Sequence, residues 1–296
     1  MGLRNAYNNY FFGRPDQPDF GEKDMPKNRF ELFQDALDAN KGALTGLSLL
    51  YAICWLPSIC WAFLNTVQLQ SLLEQGALNM QSFSSVLFTF LLQLFPMIAI
   101  TGPFNMGATF VIRNLARDEH SFVLSDFWGA VRANWKQGLL LSTLNGLMPL
   151  ALYVWLLLAN SMPLPAGFSY AIVGVVLVVL MIWSLVVQLM PMMIVTYRQG
   201  FFALLANAAL MTIATLPHAL GIKLLTLAVP LLVALCVALF PGALTWIIPI
   251  ALALYVFFLL SFNKLITVSY ANAVCEKYLN PKIEGAKTNI GLHIKE

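Results

Sequence analysis

Long stretches of this chain carry no charge, and they decide what it can fold into. No Asp, Glu, Lys or Arg falls between Lys41 and Glu74, Glu74 and Arg113, Lys136 and Arg198, or Lys223 and Lys264. A bilayer hydrocarbon core about 30 Å thick is crossed by roughly 20 helical residues. The first two gaps therefore hold one crossing each, and the last two are long enough for two. The third gap is interrupted at Asn160-Ser161-Met162-Pro163-Leu164-Pro165-Ala166-Gly167 and the fourth at Phe240-Pro241-Gly242, both turn signals. The pattern predicts an all-α polytopic transmembrane helix bundle with six spans. They fall at about 44–64, 83–112, 138–159, 168–196, 217–239 and 243–263, between an arm over 1–43 and a tail over 264–296.

The cations test this count. With the N-terminus inside, all 17 Lys and Arg fall on the inner segments, and the outer loops carry no charge but Glu74. That is the distribution of the positive-inside rule, and it predicts both termini on the cytoplasmic side. Lys223, one turn inside the fifth span, is expected to snorkel outward. The first 41 residues are polar and contain Pro15, Pro18 and Pro26, so no cleavable signal is expected and the first span itself directs insertion. Charged residues make up 10% of the chain against 59% hydrophobic, too few to coat a soluble domain, where about 25% is usual. A cytosolic enzyme and a nucleic-acid-binding domain are thereby excluded.

Three inner segments have amphipathic spacing and are read as interfacial helices. In 28–41, Phe30, Phe33 and Leu37 share a face. In 125–137, Phe127, Trp128, Val131 and Trp135 form a stripe, with Ser125 as cap and Asp126 as first-turn acid. The third begins at Phe201-Phe202. Trp128, Arg132, Trp135 and Lys136 combine indoles with cations and are candidates for contact with a partner or with lipid headgroups.

Within the spans, Gln93 and Gln188 bring amides into hydrocarbon, where each needs a partner. Both stand in similar segments, Gln93-Leu94-Phe95-Pro96 and Gln188-Leu189-Met190-Pro191, which an internal duplication would bring face to face. Gln93, Pro96, Thr101, Asn105, Gln188 and Pro191 are the candidates for a polar path or helix contacts, on spans that their prolines would break. No span contains Asp or Glu, which argues against a proton-driven pump. Cys54, Cys60 and Cys236 are read as small hydrophobes, and no disulfide is expected. Asp118-Glu119-His120 is a solvated turn rather than a metal cluster. No nucleophilic or metal motif is present, so no enzyme activity, cofactor or metal is expected.

At Thr101-Gly102-Pro103, Gly107, Ser125-Asp126-Phe127-Trp128 and Asn134-Trp135-Lys136-Gln137, the chain resembles the YesL family of bacterial membrane proteins. The likeness is best over 44–150. It implies a multi-span protein of the bacterial cytoplasmic membrane, a non-catalytic accessory or regulatory component of a carbohydrate uptake or sensing system. Its partners would then be the bilayer and an importer permease or sensor. The alternative is a small-solute transporter or channel using spans two and four.

Overall fold

The computed structural model describes residues 25–162, 165–240 and 243–293. Helix α1 covers Arg29–Ala39, α2 Lys41–Glu74, α3 Met80–Leu115, α4 Val123–Ser161 and α5 Ala166–Thr196. A short α6, Phe201–Ala214, leads into α7, Leu216–Leu239. The last rod is α8, Leu244–Leu254, continued through a π-turn, Tyr255–Leu259, into α9, Leu260–Tyr278. Six helices are long and apolar enough to cross a membrane, and no strand occurs among the described residues. The chain is an all-α, six-span bundle.

The spans alternate in direction, so one end of the bundle collects the described Lys and Arg side chains and the other carries Glu74 alone. At the charged end the Arg113 guanidinium donates to Val195 O at 3.2 Å, and His293 N donates to Pro26 O at 3.0 Å. The first and last described segments thus meet. At the opposite end Ser84 Oγ and Tyr153 OH lie 2.6 Å apart, tying α3 to α4.

Where apolar side chains face outward marks the lipid. On α3 the large exposed ones run from Met80 to Ile100, on α5 from Phe168 to Ile182, and on the last rod from Trp246 to Phe258. The α3 stretch is about 30 Å long at 1.5 Å per residue, which is one hydrocarbon thickness. Beyond these limits the same helices turn their apolar residues inward. Met106, Ile112, Phe127, Leu189, Met193, Leu204 and Leu265 are almost fully buried in one cluster at the charged end. The compact core therefore lies beyond the lipid belt, where water drives burial. In lipid that force is absent between helices.

The α3–α4 hairpin is the most intimate pair. Gly102 and Gly138 abut so closely that a Cβ on Gly102 would stand 2.2 Å from Gly138 O, and one on Gly107 would stand 2.8 Å from Phe127 O. Small residues allow this approach of backbones. They also give Gly102 and Gly107, two of the positions that carry the family resemblance, a packing role.

Several local expectations are revised. The 125–137 segment is no separate interfacial helix, because no breaker separates it from Gly138 and α4 runs unbroken for 39 residues. Ser125 does not cap it; α4 starts at Val123, and Asp126 instead accepts from Phe122 N at 2.9 Å and Ser121 Oγ at 2.7 Å. On α1 the buried residues are Leu32 and Ala36, with Phe33 and Leu37 beside them, while Phe30 points outward. Asn28 caps α1 by accepting from Phe30 N and Glu31 N. The first span, α2, continues past residue 64 to Glu74, and the last rod past 263 to Tyr278. Prolines 57, 96, 103, 149, 191, 230 and 249 sit inside helices that continue through them, so spans two and four are not broken. All four cysteines are free, and the buried one is Cys275 while Cys60 is exposed.

Candidate functional site

A cavity of about 410 Å³ opens between α2, α3, α5, α7 and the last rod, just past the charged-side limit of the lipid belt. Asn105 and Thr109 reach it from α3, and Gln188 and Pro191 from α5. Tyr51 and Trp55 line it from α2, Lys223 and Thr226 from α7, and Asn263, Lys264 and Thr267 from α9. Its volume lies in the lower part of the range for small-molecule sites, about 300–1,000 Å³.

Lys264 organises one wall. Its ammonium donates to Asn105 Oδ1 and, at 3.1 Å, to Thr109 Oγ1, and it stands 5.4 Å from the centre of the Tyr51 ring. Thr109 in turn donates to Asn105 O at 2.6 Å, which fixes both acceptors on one helical face. The π-turn that precedes α9 inserts an extra residue per turn and so resets which face the following helix presents. The buried Ser48 hydroxyl on α2 lies 3.5 Å from Tyr255 O, the carbonyl at which that turn begins. Gln188 forms the opposite side. It is buried, its Nε2 donates to Ala219 O at 3.4 Å, and its Oε1 has no donor among the described residues.

Of the residues singled out in the sequence, Asn105, Gln188 and Pro191 come together here. Gln93 and Pro96 do not; both are exposed within the lipid belt. Gln93 precedes the outward-facing Ile100 by seven residues, two helical turns, and shares its face. The pairing of Gln93 with Gln188 that an internal duplication would bring about is therefore not formed. Depth separates the two segments as well, since Pro96 lies about 28 Å from the charged end of α3 and Pro191 about 8 Å from that of α5. Thr101 is buried and donates to Ile98 O at 2.7 Å, within its own helix.

Trp128, Arg132, Trp135 and Lys136 are all exposed on the first half of α4. Trp128 packs edge-on against Phe104 at 5.9 Å, and the Lys136 ammonium lies 5.6 Å from the Trp135 ring centre. Trp135 and Lys136 border a groove of about 1,010 Å³ whose other bank is the chain from Ile194 to Gln199. Gln137 Nε2 closes its floor by donating to Gln199 O at 2.9 Å. Asp118, Glu119 and His120 form an exposed turn, as their spacing implied.

A third polar cluster joins the two ends of the described chain. Glu276, buried on α9, pairs with Arg29 and accepts from Asn272 Nδ2 at 3.0 Å and Asn289 N at 2.7 Å. Arg117 donates to Asn272 Oδ1 at 2.8 Å. Nearby, Tyr197 donates to Asn280 Oδ1 at 2.5 Å. Burial raises the pKa of that phenol, and the neighbouring Cys275 acts in the same direction, so the hydroxyl stays a neutral donor.

The residues missed in the sequence are Lys264, Lys223, Tyr51 and Thr109. Lys264 reads as the first charge of a tail, and Lys223 as a snorkelling flank. One signal separates Lys264 from a true tail: no Gly or Pro falls between it and Pro281, while Val268, Ala271 and Cys275 continue an apolar stripe at helical spacing.

The chain matches no known protein family, no curated protein and no solved structure.

Proposed function

We propose that this protein admits a small solute to the cavity between α2, α3, α5, α7 and α9, acting as a transporter or solute-binding component of the bacterial cytoplasmic membrane with both termini inside. One observation carries the reading: five helices contribute polar side chains to a single cavity beside a lipid belt whose outward surface carries large apolar side chains. Polar groups placed among membrane helices are costly and mark binding sites and pathways. The test is access. In a cysteine-free variant, Thr109→Cys and Ser184→Cys are predicted to react with a small water-soluble thiosulfonate far faster than Val178→Cys, which faces lipid. Equal rates at all three positions would sink the proposal.

A second reading rests on a different observation, the joint exposure of Trp128, Arg132, Trp135 and Lys136 beside an open groove. There the protein is a non-catalytic accessory component that docks a membrane partner. The YesL resemblance adds that the partner is a carbohydrate importer permease or sensor. Crosslinking from Arg132 in native membranes tests it; the same crosslinked neighbour should be lost in a Trp128→Ala, Trp135→Ala double variant.

A further inference from the structure

The 410 Å³ cavity has a charge problem that its own residues do not solve. Two lysines, Lys223 and Lys264, face it, and none of its lining residues is Asp or Glu. The ion pairs among the described residues are Arg29–Glu276 and Lys41–Asp38, both away from the cavity. Asn105, Thr109 and the Tyr51 ring offer Lys264 dipoles and a π face but no counter-charge. A half-buried ammonium in that position is short of an anion.

Two further features define what would complete it. Gln188 lines the same cavity, and its Oε1, buried and without a donor among the described residues, calls for a hydroxyl or N–H. The remaining lining is mixed: Ser184, Thr226, Asn263 and Thr267 are polar, Trp55 Nε1 is buried without an acceptor among the described residues, and Val187, Met192, Leu260 and Val268 supply an apolar side; the site sits where the lipid belt ends. A molecule with one charged end and one greasy end matches both sides of that boundary.

Resting on the solute-binding reading above, we infer that the cavity takes an amphipathic organic anion with a hydroxyl beside its charged group. The anion sits on Lys264, the hydroxyl donates to Gln188, and the apolar body lies along Val187 and Leu260. A hydroxy acid and the headgroup of an anionic lipid share this chemistry.

The experiment is calorimetric titration of the full chain in phosphatidylcholine nanodiscs. The probes are 2-hydroxyoctanoate, octanoate, which lacks the hydroxyl, and 1,2-octanediol, which lacks the charge. The hydroxy acid should bind saturably, octanoate several-fold more weakly, and the diol about tenfold more weakly or worse, as expected for loss of a charged hydrogen bond. Lys264→Gln should erase the preference for the acid over the diol. Lys264→Arg, which keeps the cation, should retain it and controls for misfolding. Gln188→Leu should erase only the preference for hydroxyoctanoate over octanoate. Equal binding of acid and diol to the wild type would overturn the anion assignment while leaving solute access intact, as would a preference that survives Lys264→Gln. No saturable binding of either acid would overturn it too. If the thiosulfonate test also fails, the solute-binding reading falls with it. Repeating the titration in discs containing phosphatidylglycerol separates the two sources. Weakened binding there identifies a bilayer lipid as the resident anion, and unchanged binding identifies a soluble one.

Discussion

Replacing Gly102 by alanine is the sharpest single test of how this bundle is held together. The added methyl would lie 2.2 Å from Gly138 O, 2.7 Å from Gly138 C and 2.7 Å from Ser142 Oγ. Carbon–oxygen contacts settle near 3.3–3.6 Å, so α3 and α4 must part by about 1 Å. Two of the three obstacles are backbone and cannot rotate away. Overpacking of this kind costs about 1–3 kcal/mol, set against roughly 1 kcal/mol gained from the better helix propensity of alanine. With rigid obstacles the loss dominates, and a net destabilisation of about 2 kcal/mol is expected. In a domain of 150–250 residues that corresponds to a fall of about 4–8 °C in melting temperature. Gly138→Ala should be milder, because its nearest backbone obstacle, Gly102 O, lies at 2.9 Å rather than 2.2 Å, and the Met106 side chain at 2.8 Å can shift. Gly174→Ala, with nothing within 4 Å, should be neutral or slightly stabilising. The assay is size-exclusion chromatography of fluorescently tagged, detergent-solubilised protein after heating. If Gly102→Ala melts together with Gly174→Ala, the close seam between α3 and α4 is wrong.

Other outcomes follow from the charged end. Glu276→Gln removes the charge that holds Arg29, Asn272 and Asn289 together; with Arg29 one-third exposed the cost should be about 2–3 kcal/mol, read as faster limited proteolysis after Tyr278. Tyr197 has a raised pKa when folded, so its stabilisation is complete below the unfolded value of about 10 and is lost as pH rises through the folded one. The melting-temperature gap between wild type and Tyr197→Phe should therefore hold to about pH 10 and shrink above it; a gap that widens refutes the assignment. For topology, an impermeant maleimide applied to intact cells should label Gly76→Cys and not Glu119→Cys in a cysteine-free background, and the opposite pattern would invert the bundle.

The six spans were legible because charge is the one feature a helix cannot carry into lipid at low cost. Their ends were not. Hydropathy reports where lipid lies, whereas a helix stops only where its backbone is interrupted. Asn65, Thr66, Gln68 and Gln70 look like a loop by polarity, yet they contain no Gly or Pro and simply extend α2 to Glu74. The same holds for Arg132 to Gln137, which read as the edge of a separate helix and lie inside the first half of α4. In the site, Asn105 and Gln188 stood out as amides in apolar surroundings, but so did Gln93, and polarity does not say which way a residue faces. Facing is set by register against neighbouring helices, which a single sequence leaves open for Gln93. Lys264 was hidden by the very rule that revealed the topology, since a cation after a span reads as a flank.

The position of the cavity follows from the same forces as the fold. Burial of apolar surface is driven by water, so buried residues are densest where the helices leave the lipid, from Met106 to Leu115 on α3 and from Leu185 to Ile194 on α5. Within the belt they are held by fewer contacts; in the most apolar window of α7 no residue is buried inside the bundle. Between a close-packed layer and a lipid-solvated one, five helices change what they pack against within a turn or two. The cavity opens at that level. Polar residues there avoid the full cost of hydrocarbon and are not displaced by core packing. Lys264, Asn105, Thr109 and Gln188 occupy that level, and their clustering requires no internal duplication of the chain.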